Sequence, residues 1–238
     1  MLTCVSLQKI STDCGKIDEF LKGGLPAEKV TLVYGEAETG KTTFAVQCAA
    51  NCARQGYKTL FIDSDQTFSA QRLFQIVSEK DSEIPKLIIL VRPNDFREQT
   101  AFADHLTDFL NGNFKLVVFD TVTSLYRLRI AESPSKTFEL NRELNRQLAV
   151  LAQAARTEKI ALLLTSQVHS VLNDVSVSIE PVATRVLKFW ADTVIALKLT
   201  ENPQIVQATL EKGPTNLAPM TCDLRIEETG IHDYPHHG

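Results

Sequence analysis

At 238 residues the chain is the size of one large α/β domain, and its 44% hydrophobic and 23% charged content excludes a disordered or fibrous protein. A net charge of −4 excludes nucleic-acid binding by an overall positive field, though not by a local basic strip. No apolar run approaches the ~18–20 residues that cross a bilayer. The start, MLTCVSLQKI, lacks the charged-then-apolar layout of a secretory signal, and the five cysteines include no CxxC pair. The expectation is a cytoplasmic protein with reduced thiols and no membrane partner.

Short apolar runs alternate with longer amphipathic stretches. Residues 30–34 (VTLVY) read as a strand, followed by a helix over 41–55 in which Phe44, Ala45, Cys48, Ala49 and Cys52 recur at helical spacing. The pair Cys48 and Cys52 reads as plain packing, since two thiols without a third ligand make a poor zinc site. A strand at 59–63 and a helix at 69–79 come next, with Leu73, Ile76 and Val77 inward. The scheme repeats with a strand at 87–91, a helix at 96–110 and a strand at 115–120 (KLVVFD). The longest helix, 137–158, steps through Leu140, Leu144, Leu148, Leu151 and Ala155, and a further strand covers 160–165. Strands without polar alternation are covered on both faces, as a parallel sheet requires. Strand and helix in repeated order then predict a doubly wound α/β sheet. Near Ala183 the pattern changes to strands joined by turns, at 194–199, 205–211 and 220–226, with breaks at Asn202–Pro203 and Gly213–Pro214. This predicts an antiparallel extension of the same sheet, and one domain over 1–238.

The segment GEAETGKT at 35–42 fits GxxxxGKS/T at every specified position, with a strand before it and a helix after it. The chemistry explains the spacing. Main-chain amides of the loop and the helix opening point at a phosphate, and the helix dipole adds positive potential. The cradle comprises Gly35, Glu36, Ala37, Glu38, Thr39, Gly40, Lys41, Thr42 and Thr43. Gly40 lets the chain approach the phosphate without a Cβ, Lys41 reaches the β- and γ-phosphates of ATP, and the Thr42 hydroxyl is a Mg2+ ligand. Asp120 ends an apolar strand at the carboxyl edge, expected beside the strand that feeds the loop, and is the second Mg2+ residue. Hydrolysis needs a carboxylate to orient water. Asp65 is the candidate, with Asp63 in reserve.

These segments, with ISTDCGKIDEFLKGG at 10–24, FIDSDQTFSAQRL at 61–73, TSQV at 165–168, VLKFWA at 186–191 and ATLEK at 208–212, resemble the RecA-like recombinase superfamily. The resemblance is strongest to archaeal RadB-type recombinase paralogues, which lack a separate N-terminal helical domain. It implies a RecA-like P-loop ATPase core in homologous recombination and DNA repair, nucleoid-associated, with recombination proteins or further copies of itself as partners. It implies that Gln167 senses the γ-phosphate, and that residues 125–136 and 168–185 are two DNA-facing loops. Lys212 matches a position that would contact a neighbour's nucleotide. Where relatives carry Glu-Gly, this chain has Asp65 and Gln66. Aspartate is one methylene shorter, so weak hydrolysis with intact binding is expected. No FxxA docking motif precedes the match, which leaves filament formation by that route without its anchor.

Arg127, Arg129, Lys136, Arg142 and Arg146, with Arg185 and Lys188, form a basic strip suited to salt-sensitive, sequence-independent binding of single- or double-stranded DNA. Tyr126 offers a stacking surface. Glu132, Glu139 and Glu143 interleave with the strip, and Trp190 reads as a packing anchor. Two alternatives stay open at this point: a nucleotide-gated adaptor acting by protein contact, and a clock-type RecA-like regulatory ATPase.

Overall fold

The computed structural model describes residues 9–77, 81–168, 182–214 and 219–234. A short antiparallel pair, β1 (Lys9–Ile10) and β2 (Leu25–Pro26), brackets helix α1 (Gly15–Phe20). The body alternates β3 (Val30–Gly35), α2 (Lys41–Arg54), β4 (Lys58–Asp63), α3 (Ala70–Ile76), β5 (Ile88–Val91), α4 (Phe96–Asp104), α5 (Leu106–Phe109) and β6 (Phe114–Asp120). Then follow α6 (Ser124–Glu132), α7 (Thr137–Thr157), β7 (Ala161–Gln167) and α8 (Val182–Trp190). Four strands close the chain: β8 (Thr193–Leu199), β9 (Ile205–Lys212), β10 (Met220–Glu227) and β11 (Gly230–Asp233).

Among the described residues the main sheet runs β11-β10-β9-β8-β3-β7-β6-β4-β5. The portion from β8 to β5 is parallel, and β9 to β11 extend it antiparallel, as the sequence pattern predicts. Period-two alternation splits the central parallel strands between two cores, while β9, β10 and β11 bury residues in one of them only. On β6, Leu116 and Val118 join α2 on one face, while Val117 and Phe119 join α4, α6, α7 and α8 on the other. Small residues let α2 sit close to the sheet: Ala45, Ala49, Ala50, Cys48 and Cys52 are all buried. The four described cysteines are buried free thiols, and no metal-binding cluster occurs among the described residues.

Several expectations are corrected. Asp120 is not on the strand next to β3, because β7 lies between them. The crossover through α2 carries the chain three positions outward to β4, and the later strands β6 and β7 fill the gap. The helix expected over 96–110 breaks at His105 into α4 and α5. Residues 125–136 are mostly helix rather than open loop, since α6 buries Leu125 and Tyr126. In the other assigned loop, residues 169–181 lie outside the described residues. Its end is α8, whose buried Ala183 and Leu187, followed by Ala191, recur every four residues. Strand β11, unforeseen, is reached by a tight return from Glu227 to Gly230.

Candidate nucleotide site

Parallel register brings the carboxyl ends of five strands to one edge. Gly35 aligns with Gln167 on one side and Leu197 on the other, and Asp63 aligns with Asp120. Such an edge, where helices leave toward opposite faces, is where open α/β sheets place their ligands. Gly35 must be glycine, because a Cβ there would lie 2.3 Å from the Leu197 carbonyl oxygen. Gly40 opens α2 in the left-handed region, at φ +83°, with a virtual Cβ 2.9 Å from Ile231. Its lack of a side chain thus serves packing against Ile226 and Ile231 as well as the expected approach to a phosphate. An open cleft lined by Glu38, Gly40, Lys41, Thr42, Thr43 and Ile226 lies over the helix opening.

Side chains within the loop hold each other. The Thr39 hydroxyl donates to the Glu36 carbonyl at 2.9 Å. The Lys41 ammonium donates to that same carbonyl and to the Thr39 hydroxyl, the latter at 3.2 Å. Burial pushes the Lys41 pKa down to about 8, against the opposing pull of Asp120, Asp65 and Glu36. A buried ammonium that carbonyl and hydroxyl dipoles only partly stabilise suits a polyanion.

Thr42 and Asp120 come together despite 78 residues of separation: the hydroxyl donates to the carboxylate at 2.8 Å. The other Asp120 oxygen accepts from Thr165 on β7. Asp120 is fully buried, and desolvation raises its pKa; the Thr165 and Thr42 hydroxyls oppose that, while Asp65 and Asp63 add to it. A hydroxyl and a buried carboxylate, both hard oxygen donors, fit magnesium, whose charge would favour the ionised carboxylate.

Asp65 follows β4 on an exposed turn and accepts a 2.5 Å hydrogen bond from Thr121, which follows Asp120 through a cis peptide bond. Asp63 is committed elsewhere. Its oxygens accept the Thr67 and Phe68 amides at 2.9 and 3.2 Å and Arg92 at 2.9 Å, which shapes the turn carrying Asp65. Gln167 stands half-buried at the end of β7, beside Gly35.

The basic residues separate into two groups. Arg127 turns inward, donating to the Gln167 carbonyl. Burial lowers its pKa, while Asp65 pulls it back up, and its own charge depresses Lys41. Lys188 is held at 2.9 Å from Glu211, over the Tyr34 ring. Arg129, Lys136, Arg142 and Arg185 are exposed, Arg129 being paired with Glu132 at 2.9 Å. Arg146 is tied to both Asp104 and Glu143. Tyr126 offers no stacking face: it is buried edge-on against Phe96, with ring centroids 5.8 Å apart. The Lys212 ammonium caps α8, donating to the carbonyls of Lys188 and Ala191. Trp190 is a partly buried anchor whose indole donates to Asn145 on α7 at 2.8 Å.

Sequence reasoning missed Arg72, Thr121 and Thr165. Arg72 spans the cleft's rim, bonding the carbonyls of Glu227 and Glu228 at 2.6 and 2.8 Å and the Thr43 hydroxyl at 3.4 Å. Its signal was an arginine three residues after the serine that caps α3, facing the phosphate-loop helix. The threonines carried a weaker one: hydroxyls immediately beside motif residues at strand ends.

The sequence profile of the Rad51 family matches residues 4–234. The "DNA repair and recombination protein RadB" of Methanococcus maripaludis (strain C5 / ATCC BAA-1333) is 31% identical over 215 residues, covering 90% of this chain and 96% of that protein. The RadB of Methanococcoides burtonii is 30% identical over 224 residues, 94% of this chain and 97% of that one. The crystal structure of the RadB recombinase superposes with a TM-score of 0.79 at 30% identity, covering 95% of this chain and all of that one. A phosphate loop, a carboxylate-bearing strand and a glutamine-ended strand on one edge thus occur in a chain that belongs to the Rad51 family, among its RadB-type members.

Proposed function

We propose that the chain is a RecA-type recombinase paralogue of homologous recombination and DNA repair that binds ATP with Mg2+ and hydrolyses it slowly. The observation that carries the reading is the 2.8 Å contact between the Thr42 hydroxyl and the buried Asp120 carboxylate beside the Lys41 ammonium. Lys41 and the loop amides bind the phosphates, and Thr42 with Asp120 holds the metal, which supplies charge neutralisation to the leaving phosphate. Gln167, at the end of the strand next to the loop, contacts the terminal phosphate. Arg127 adds a cation on the same side and fixes the Gln167 main chain.

Asp65 is the water-orienting carboxylate. Its side chain is one methylene shorter than glutamate and is held by Thr121, which supports slow turnover. The experiment is single-turnover hydrolysis of labelled ATP in the wild type and Asp65→Ala. A measurable slow rate that falls at least tenfold in the variant supports the assignment; an unchanged rate removes Asp65 from it.

Exposed Arg129, Lys136, Arg142 and Arg185 make DNA the polymer partner, bound through phosphates without sequence preference. Arg127 and Lys188 are set aside from that group because their charges are engaged inside. A second reading, an adaptor that works by protein contact, is favoured by the apolar side chains exposed on the same helices: Leu128, Phe138 and Phe189 are 60%, 73% and 75% exposed. Titrating single-stranded DNA at two salt concentrations separates the two. Affinity that falls steeply as salt rises supports DNA, and no binding at low salt leaves the adaptor.

A further inference from the structure

Two glutamine side chains lie in the core behind the reacting loops, each with no exposed surface. Gln99 projects from α4 on the same stripe as Phe96 and Ala103, and Gln147 from α7 between Leu144 and Leu151. The Gln99 carbonyl oxygen accepts the Ser64 hydroxyl at 3.1 Å. Its amide nitrogen donates to the Val122 carbonyl and to the Gln147 side-chain oxygen, each at 3.1 Å. Gln147 in turn donates to the Thr100 hydroxyl at 2.5 Å, and that hydroxyl bonds the Phe96 carbonyl at 2.8 Å.

Gln99 therefore holds both loops at once. Ser64 precedes Asp65, and Val122 is two residues beyond Asp120. Three neighbouring bonds complete the frame: Ser64 amide to Asp120 carbonyl at 2.8 Å, Val122 amide to Thr165 carbonyl at 3.1 Å, and the Thr123 and Ser166 hydroxyls 3.0 Å apart. The bond between the two amides adds little stability by itself, since burying amides and then pairing them gains little over never burying them, but Gln99 also satisfies the buried Ser64 hydroxyl and the Val122 carbonyl, which an apolar side chain would deprive of that bond. What paired amides add is a fixed direction for each partner.

We propose that Gln99, with Gln147 locking its amide, is a positioning residue that sets the place of Asp65 relative to Asp120 for water activation. The proposal rests on the hydrolysis reading above. Misplacement by ~1 Å at a reacting group can cost about a hundredfold in rate, so a modest loosening is visible in turnover before it is visible in stability.

The test uses the full chain with Gln99→Met, Gln147→Met and the double variant, which keep volume and remove the amides. Three quantities are read: the Kd for Mg-ATP, the single-turnover rate, and amide hydrogen exchange at residues 64–66 and 121–124. The expected result is a Kd within about threefold of wild type, a rate down about tenfold or more in Gln99→Met, and faster exchange at both loops with α2 unchanged. Gln147→Met gives a smaller loss, and the double variant is no slower than Gln99→Met alone, because Gln147 acts through Gln99. Wild-type rate in a folded Gln99→Met overturns the proposal, and so does a rate that falls only in proportion to lost ATP binding. If the wild type itself shows no turnover, the hydrolysis reading fails separately. Exchange then decides the positioning role, and unchanged protection at both loops rejects it.

Discussion

In the free protein the Lys41 ammonium is poorly solvated, and burial brings its pKa to about 8. A bound triphosphate restores the charged form, so binding and protonation are linked. At about pH 8.5 only about a quarter of free molecules carry the proton, and binding takes up roughly three-quarters of a proton per ATP. At about pH 7 the uptake shrinks to roughly a tenth, and apparent affinity weakens about thirtyfold between pH 7 and 9.5. The sign for stability follows from a folded pKa below the unfolded value of 10.5. The ammonium destabilises the free fold by about 3 kcal/mol below pH 8, and this is relieved as pH rises from about 8 toward 10.5. Calorimetry in two buffers of different ionisation heat reads the proton uptake directly, and thermal unfolding reads the stability. Uptake below about 0.2 proton at pH 8.5, or the same uptake in Lys41→Met, would rule out this linkage.

Three further outcomes follow from the same geometry. Asp65→Glu returns the missing methylene and raises the single-turnover rate by about tenfold while leaving Kd for ATP near wild type; no acceleration would mean reach is not what limits the base. Arg127→Ala lowers ATP turnover about tenfold and leaves nucleotide-free DNA affinity within about twofold, whereas Arg129→Ala does the reverse; a salt-sensitive DNA defect in Arg127→Ala would return it to the DNA surface. Gly40→Ala forces an alanine into the left-handed region and a methyl against Ile226 and Ile231, costing about 1–3 kcal/mol and lowering Tm by about 3–10 °C. A Tm unchanged in Gly40→Ala would show that the loop can re-form around a side chain.

Much of the site was legible because its chemistry is local. The phosphate loop is eight consecutive residues, and each named position has a steric or charge reason visible in one dimension. Asp120 was legible because an apolar strand ends at it, and strand ends of a parallel sheet share an edge, whereas Gln167, two residues beyond the expected strand, came only from the family resemblance. Strand order was not legible in the same way. Nothing in residues 115–120 says that residues 161–167 will later slip between them and the phosphate-loop strand, since order depends on which crossover covers which face. The inward turn of Arg127 was hidden for a related reason: α6 buries Leu125 and Tyr126, and that rotation aims the next residue at Gln167. Helix α8 was obscured because it is short, and its inward residues Ala183, Val186, Leu187 and Trp190 span only two turns, too few repeats to outweigh the β-branched residues before it. Gln99 and Gln147 did leave a signal, a polar amide on an otherwise apolar helical stripe, but it names no partner until both helices are folded against the sheet.

The claim on which the rest depends is that Thr42 and Asp120 hold magnesium for a triphosphate gripped by Lys41. Titration of ATP into the full chain with and without Mg2+, in the wild type and in Thr42→Val, tests it most directly. Mg2+ is expected to tighten wild-type binding at least about tenfold, and Thr42→Val to lose this gain while keeping magnesium-free binding through Lys41. Failure of the folded wild type to take up nucleotide, or a Thr42→Val protein with the full magnesium gain, would contradict it.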